Sequence, residues 1–128
     1  MKKEIVKING IQKPDSPFNH VVKVGDFLFL TSQLSCDLRT GRVIGGTMGE
    51  QTRRAMDNIK FLLHASGATM NGVVKVVVYM RDLSKFGEMN AVYRKYFEKG
   101  EEPARVTVHA PSPIDDVDIE IEATAVIA

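Results

Sequence analysis

One cysteine, no excess of charge of either sign and no long apolar run mark this chain before any motif does. The single Cys36 excludes an intramolecular disulfide and fits a reducing compartment. Histidine is scarce and scattered, at His20, His64 and His109, and no Cys/His spacing of the zinc type occurs. Lys and Arg number 17 against 16 Asp and Glu, a formal net charge of +1. Such a balance gives no strong field to recruit nucleic acid or an anionic membrane. The longest apolar run, which follows Lys75, is far too short to span a bilayer, and "MKKEIVKING" has no apolar stretch of the signal-peptide kind. The expectation is a soluble, cytoplasmic protein with neither a membrane nor a nucleic acid as its partner.

What is present is ordinary for a globular protein, with 44% apolar and 26% charged residues over 128 positions. That length suits one domain with a real core. "EIVKI" alternates as a short strand ending at Asn9-Gly10, and "QKPDSPFNH" is a turn-rich loop. "VVKV", the turn Gly25-Asp26 and "FLFLTSQL" form a predicted β-hairpin, followed by the glycine-rich loop "CDLRTGRVIGGTMG". Thr47 and Glu50 have capping-box spacing, and Ala55, Met56, Ile59, Leu62 and Leu63 then share one helical face up to a stop at Gly67. Residues 73–80 are a strand apolar on both faces, with Val74, Val76, Val78 and Met80 on one and Val73, Val77 and Tyr79 on the other. A second helix runs from about Ser84 to Gly100 with Phe86, Met89, Tyr93 and Phe97 on one face. Two strands close the chain.

This order predicts an α+β sandwich, with two helices on one face of a mainly antiparallel sheet. Because residues 73–80 are apolar on both faces, the face without helices needs its own cover, and a second copy of the chain is the expected one.

Two charges on the last strands stand out. Alternation puts Arg105, Thr107 and His109 on one face of their strand, and Glu120, Glu122 and Thr124 on one face of theirs. If the two runs pair as a hairpin about "APSPIDD", Arg105 faces the region of Glu120 to Glu122. A cross-strand ion pair on a solvated sheet and a two-part site are both compatible with that arrangement. On the pattern alone the ion pair is the favoured reading; the position of Arg105 just after a turn, at the mouth of the sheet, is the one observation that leans toward a site.

"PARVTV" followed by "DVDIEIEATAV" resembles the C-terminal signature of the Rid family, the reactive intermediate deaminases formerly called YjgF or L-PSP proteins. "GDFLFLTSQLSCDLRTGRV", "QTRRAMDNIKFLLHASG" and "VVKVVVYMRDLSKFGEMNAVYRKYF" match further family segments in order, from about Ser16 to the C-terminus. The resemblance implies a chorismate-mutase-like fold and a homotrimer with sheets facing inward. It also implies clefts at the subunit boundaries that hydrolyse enamines or imines, such as 2-aminoacrylate, to 2-keto acids and ammonia without cofactor or metal. In that scheme Arg105 forks the substrate carboxylate, as Lys could not, and Glu120 handles the attacking water and the departing amine. Backbone groups around Thr107 help place the substrate. Asn90 matches a residue near the cleft, with helix packing or capping an equally good role for it. Three positions depart from the family pattern: Phe18 where Gly-Pro-Tyr is usual, Thr31-Ser32 where Ser-Gly is usual, and Thr107 in place of a frequent Cys. A non-catalytic trimer that captures a 2-keto acid through Arg105 is the main competing reading. An endoribonuclease is disfavoured by the missing basic stripe and the lack of a His pair.

Overall fold

The computed structural model describes residues 1–127. Its strands join one sheet in the order β1-β2-β3-β6-β4-β5. β1 (Lys3–Ile5), β2 (Val21–Val24) and β3 (Phe27–Leu30) form an antiparallel meander, and the Gly25-Asp26 turn closes the predicted hairpin. β4 (Val73–Met80) and β5 (Ala104–His109) run parallel, joined across the helical layer, while β6 (Ile119–Val126) lies antiparallel between β3 and β4. The sheet is therefore mixed, with β4 and β5 its one parallel pair.

α1 (Met48–Ala65) starts on the predicted capping box. The Thr47 side chain accepts from Glu50 N–H, and the Glu50 carboxylate accepts from Thr47 N–H. Ala55, Met56, Ile59, Leu62 and Leu63 are all buried, as the spacing requires. α2 (Phe86–Tyr93) is shorter than the sequence pattern suggests, because single 3-10 turns at Leu83–Lys85 and Arg94–Tyr96 flank it. Both helices cover one sheet face, where Val76, Val78, Met80, Ile119, Ile121 and Ala123 meet Met56, Ile59 and Met89. Burying that face supplies most of the folding free energy. Among the described residues no helix is long and apolar enough to cross a membrane.

Two expectations are corrected here. The last two strands do not form a hairpin, since β6 has inserted beyond β4. The connection 110–118 carries Pro111, Pro113 and a positive-φ Asp116, and is long enough to cross over β4 where a tight turn would not be. At its end Gln51 fixes Asp118 from both sides, its Nε2 donating to the carboxylate at 2.9 Å and its Oε1 accepting from the backbone N–H at 3.0 Å. The second correction concerns the start of β4. An irregularity in register between Val73 and Lys75 turns Val73 into the core and leaves Val74 exposed, the reverse of strict alternation.

Among the described residues no helix covers the opposite sheet face. Phe27 and Phe29 stack there at 6.4 Å and stay about half exposed, alongside exposed Val106 and Val108. Gly72, just before β4, touches the last strand so closely that a Cβ there would strike the Val126 carbonyl oxygen. Backbone cannot rotate away from that contact. Gly72→Ala is expected to cost about 1–3 kcal/mol, read from the denaturant midpoint. An unchanged midpoint would show that the two strands can separate freely at this end.

Candidate functional site

The residues singled out in the sequence fall into two clusters on opposite faces of the sheet. Arg105 pairs in register with Val76 and Thr107 with Val78, so both side chains share the helix-covered face. Glu120 pairs with Tyr79, and Glu122 with Val77, on the uncovered face. Within one chain Arg105 and Glu120 are therefore not neighbours, and the cross-strand ion pair does not form.

On the helix side, Arg105 reaches from edge strand β5 to α2. Its Nη1 donates to Asn90 Oδ1 at 2.6 Å. Its guanidinium carbon lies 4.7 Å from the ring centre of Tyr93 and 5.4 Å from that of Phe86. Phe86, Asn90 and Tyr93 are spaced four and three residues apart, which places them on one stripe of α2. The two rings hold the cation by its π-faces and the amide fixes one edge. No carboxylate among the described residues forms an ion pair with Arg105. A fixed, unneutralised guanidinium of this kind can take an external anion. Thr107 follows on the same face, half-buried.

On the uncovered side, Gln33 bridges to Ile121 outside the regular strands, with backbone bonds of 2.7 and 2.8 Å. That bridge sets Ser32 beside Glu120, and Ser32 Oγ donates to Glu120 Oε1 at 2.7 Å. Tyr79 donates its hydroxyl to Glu122 in a short hydrogen bond. A cleft of about 360 Å³ opens there, its walls including Thr31, Ser32, Tyr79, Pro111, Glu120 and Glu122. Phe18, 47% exposed, lines an adjoining hollow that shares Thr31 and Ser32. Its ring meets His20 edge-on at 6.2 Å. Burial holds the His20 imidazole below its usual pKa, so it is neutral at physiological pH. Burial likewise pushes the Cys36 thiol up, which suits a packing role.

Of the expected site residues, Glu120, Thr31, Ser32 and Phe18 thus gather on one face, and Arg105, Asn90 and Thr107 on the other. Sequence reasoning missed the Tyr79–Glu122 pair and the aromatic clamp on Arg105. The clamp has a sequence signal: helical spacing puts Phe86 and Tyr93 on one face, and Asn90 interrupts that stripe with a polar group.

The profile of the family described as Endoribonuclease L-PSP matches residues 10–127. The chain belongs to this family, the Rid/L-PSP proteins. A RutC family protein of Pyrococcus abyssi is 43% identical over 98% of both chains. A Dermatophagoides farinae protein named 2-iminobutanoate/2-iminopropanoate deaminase is 31% identical over 98% of this chain and 97% of its own. The crystal structure of RidA from an Antarctic Psychrobacter superposes with a TM-score of 0.87 at 27% identity, covering 97% of this chain and 99% of that one. The α+β architecture of this Rid/L-PSP chain is that of its family.

All three tyrosines of this Rid protein hold their protons more tightly than usual. Tyr79 is pushed up to about 12, first by its bond to Glu122, then by burial and by the charges of Glu122 and Glu120. Tyr93 is pushed up to about 12 by burial, against the opposing pull of Arg105. Tyr96 is raised by burial and by its bond to Asp57. The folded values lie above the unfolded value near 10. These phenols therefore contribute stability fully below about pH 10 and lose it as pH rises through about 12. Phenolate absorbance should show no tyrosine titrating near pH 10 until the protein unfolds. One tyrosine ionising at its ordinary value in the folded chain would contradict the burial and bonds described.

Proposed function

We propose that this protein hydrolyses 2-imino acids and their enamine tautomers, such as 2-aminoacrylate, to 2-keto acids and ammonia, in clefts shared between the protomers of a homotrimer. The observation that carries the reading is the Arg105 guanidinium, clamped by Asn90 and two rings and left without a carboxylate of its own. It selects a substrate with a small carboxylate. The named deaminase among its relatives supports the reaction class.

Water adds through oxygen to the imine carbon, and the C=N double bond becomes a single bond. Glu120 takes the proton of that water and passes it to nitrogen. Glu120 then takes the hydroxyl proton of the carbinolamine and passes it to the amine, the C–N bond breaks, ammonia leaves and C=O forms. The water and the imine supply every atom of the products, and no redox partner enters. Ser32, donating to Glu120 Oε1, leaves the other carboxylate oxygen for the water. The hydroxyl at Ser32 thus has a role that glycine could not fill.

Arg105 and Glu120 stand on opposite sheet faces, so one protomer cannot supply both to one substrate. Packing the uncovered faces together, with their exposed Phe27, Phe29, Val106 and Val108, buries apolar surface. The shared cleft also requires the β5 edge of one protomer to lie against the Glu120 cleft of the next. That is why a homotrimer with inward sheets is part of the proposal.

Decay of freshly generated 2-aminoacrylate is the measurement. The wild-type protein should accelerate it, and Arg105→Ala and Glu120→Ala should each lose roughly 100-fold or more. Mixed from the unfolded state, the two inactive variants should regain activity, since random assortment restores roughly a quarter of the clefts. A mixture no better than its parents would overturn the shared cleft. Absence of any wild-type acceleration, with 2-keto acid still bound, would favour the non-catalytic carboxylate-binding reading. RNA cleavage surviving both substitutions would belong to another site or to a contaminant.

A further inference from the structure

Glu122 lines the same cleft as Glu120, and no step of the proposed reaction uses it. The two carboxylates stand two residues apart on one face of β6, which sets their Cα atoms about 7 Å apart. β4 lies opposite them, with Tyr79 in register with Glu120 and Val77 with Glu122. Tyr79 leans across the diagonal and gives its hydroxyl to Glu122 Oε1, as Ser32 gives its hydroxyl to Glu120 Oε1. Each carboxylate thus has one oxygen held by the protein. The other oxygen of each has no hydrogen-bond donor among the described residues.

Charge in this cleft is one-sided. No Lys, Arg or His among the described residues forms an ion pair with Glu120 or Glu122, and none of the side chains lining the cleft is cationic. Tyr79 is a neutral donor there, its phenol pushed up to about 12 chiefly by the bond to Glu122. Packing does not explain the second charge. A glutamine at 122 would accept from the same phenol without setting one negative group beside another on the strand.

The chemistry of imine hydrolysis supplies a reason. The imine carbon is the better electrophile once its nitrogen is protonated, and the nitrogen is positive again as it departs. A 2-imino acid carries that nitrogen on the carbon next to its carboxylate, the same carbon that the water beside Glu120 attacks. We propose that Glu122 is a specificity-determining residue whose free oxygen holds the substrate nitrogen in its protonated, iminium form. The assignment rests on the imine-deaminase reading and deepens it, because the substrate becomes a dipolar iminium carboxylate with its anion on Arg105 and its cation on Glu122. The steps keep their balance. Glu120 moves a proton from the added water to nitrogen and then takes the carbinolamine hydroxyl proton. The C–N electron pair leaves with nitrogen, C=O forms, and Glu120 returns its proton to the departing ammonia. Iminium and water give 2-keto acid and ammonium. The keto acid has no positive group for Glu122 to hold, which favours its release.

Glu122→Gln is the test, since it keeps the acceptor for Tyr79 and removes only the charge. Its kcat/KM for freshly generated 2-aminoacrylate should fall about 10-fold or more, the usual effect of losing a hydrogen bond to a charged group. Pyruvate, titrated by calorimetry, should bind this variant as tightly as wild type or more so, because a negative charge facing the anion has gone. A merely structural role would weaken both. Turnover equal to wild type's, or pyruvate binding lost along with turnover, would overturn the Glu122 assignment and leave the deaminase reading standing. A wild-type protein that does not accelerate the decay would overturn both. If Glu122→Gln does not fold, wild type alone decides, titrated with alanine and with propanoate, which has hydrogen where alanine has its ammonium. Alanine should bind about 10-fold or more tightly. Alanine binding no tighter than propanoate would end the proposal.

Discussion

The register of β6 is the constraint on which the rest of the molecule depends. This strand sits between β3 and β4, and its residues alternate between the core and the uncovered face. Ile119, Ile121, Ala123 and Ala125 go to the helices, while Glu120, Glu122 and Thr124 go the other way. Because side chains repeat every two residues, a slip of one would drive two carboxylates into the apolar core. The cost of that slip locks the register. The Gln51–Asp118 pair at the strand entrance and the Gln33–Ile121 bridge along its flank add local pins. Glu120 is thus oriented by the same burial that stabilises the fold.

A second consequence of this sheet is the separation of chemistry by face. β5 lies at the edge beside β4, so Arg105 shares a face with Val76, on the side where α2 packs. Glu120 shares its face with Tyr79. Each half is held on its own, one by aromatic rings and an amide, the other by Ser32 and the strand. Neither can reach round the sheet. Assembly between chains is therefore a requirement of any mechanism that uses both residues, and the apolar surface beside Glu120 gives such assembly its driving force.

These features were unevenly legible in the sequence. α1 could be read almost to its ends, because capping and a 3.6-residue period are both local properties of the chain. The face of each residue within a strand was equally readable for β5 and β6. Which strands are adjacent was not. Alternation has the same period whether β6 pairs with β5 or passes beyond β4, and the connection 110–118 permits either. The hairpin reading therefore puts Arg105 beside Glu120, although alternation fixes only which residues share a face within each strand. The reversal of Val73 and Val74 escaped for a related reason, since a register irregularity depends on the partner strand. Ser32 was noted as an added side chain in the cleft, but its bond to Glu120 needed the Gln33 bridge, a contact between residues far apart in the chain.

The two halves also differ in how their polar groups are satisfied, and this difference assigns their roles. Beside Glu120 the donors have protein acceptors: Ser32 gives to Glu120 and Tyr79 gives to Glu122. That half has its donors satisfied without a ligand, and its carboxylate is held in one orientation. Beside Arg105 the balance is reversed: Asn90 engages one edge of the guanidinium, and no carboxylate among the described residues pairs with it. A fixed cation without a paired anion gains most from one that arrives from outside. In the proposed reaction, affinity would then reside with the Arg105 half, and the Glu120 half would act on whatever that half presents. Dividing capture from proton transfer in this way would let the wall at Phe18, Thr31 and Ser32 differ without loosening the hold on the carboxylate.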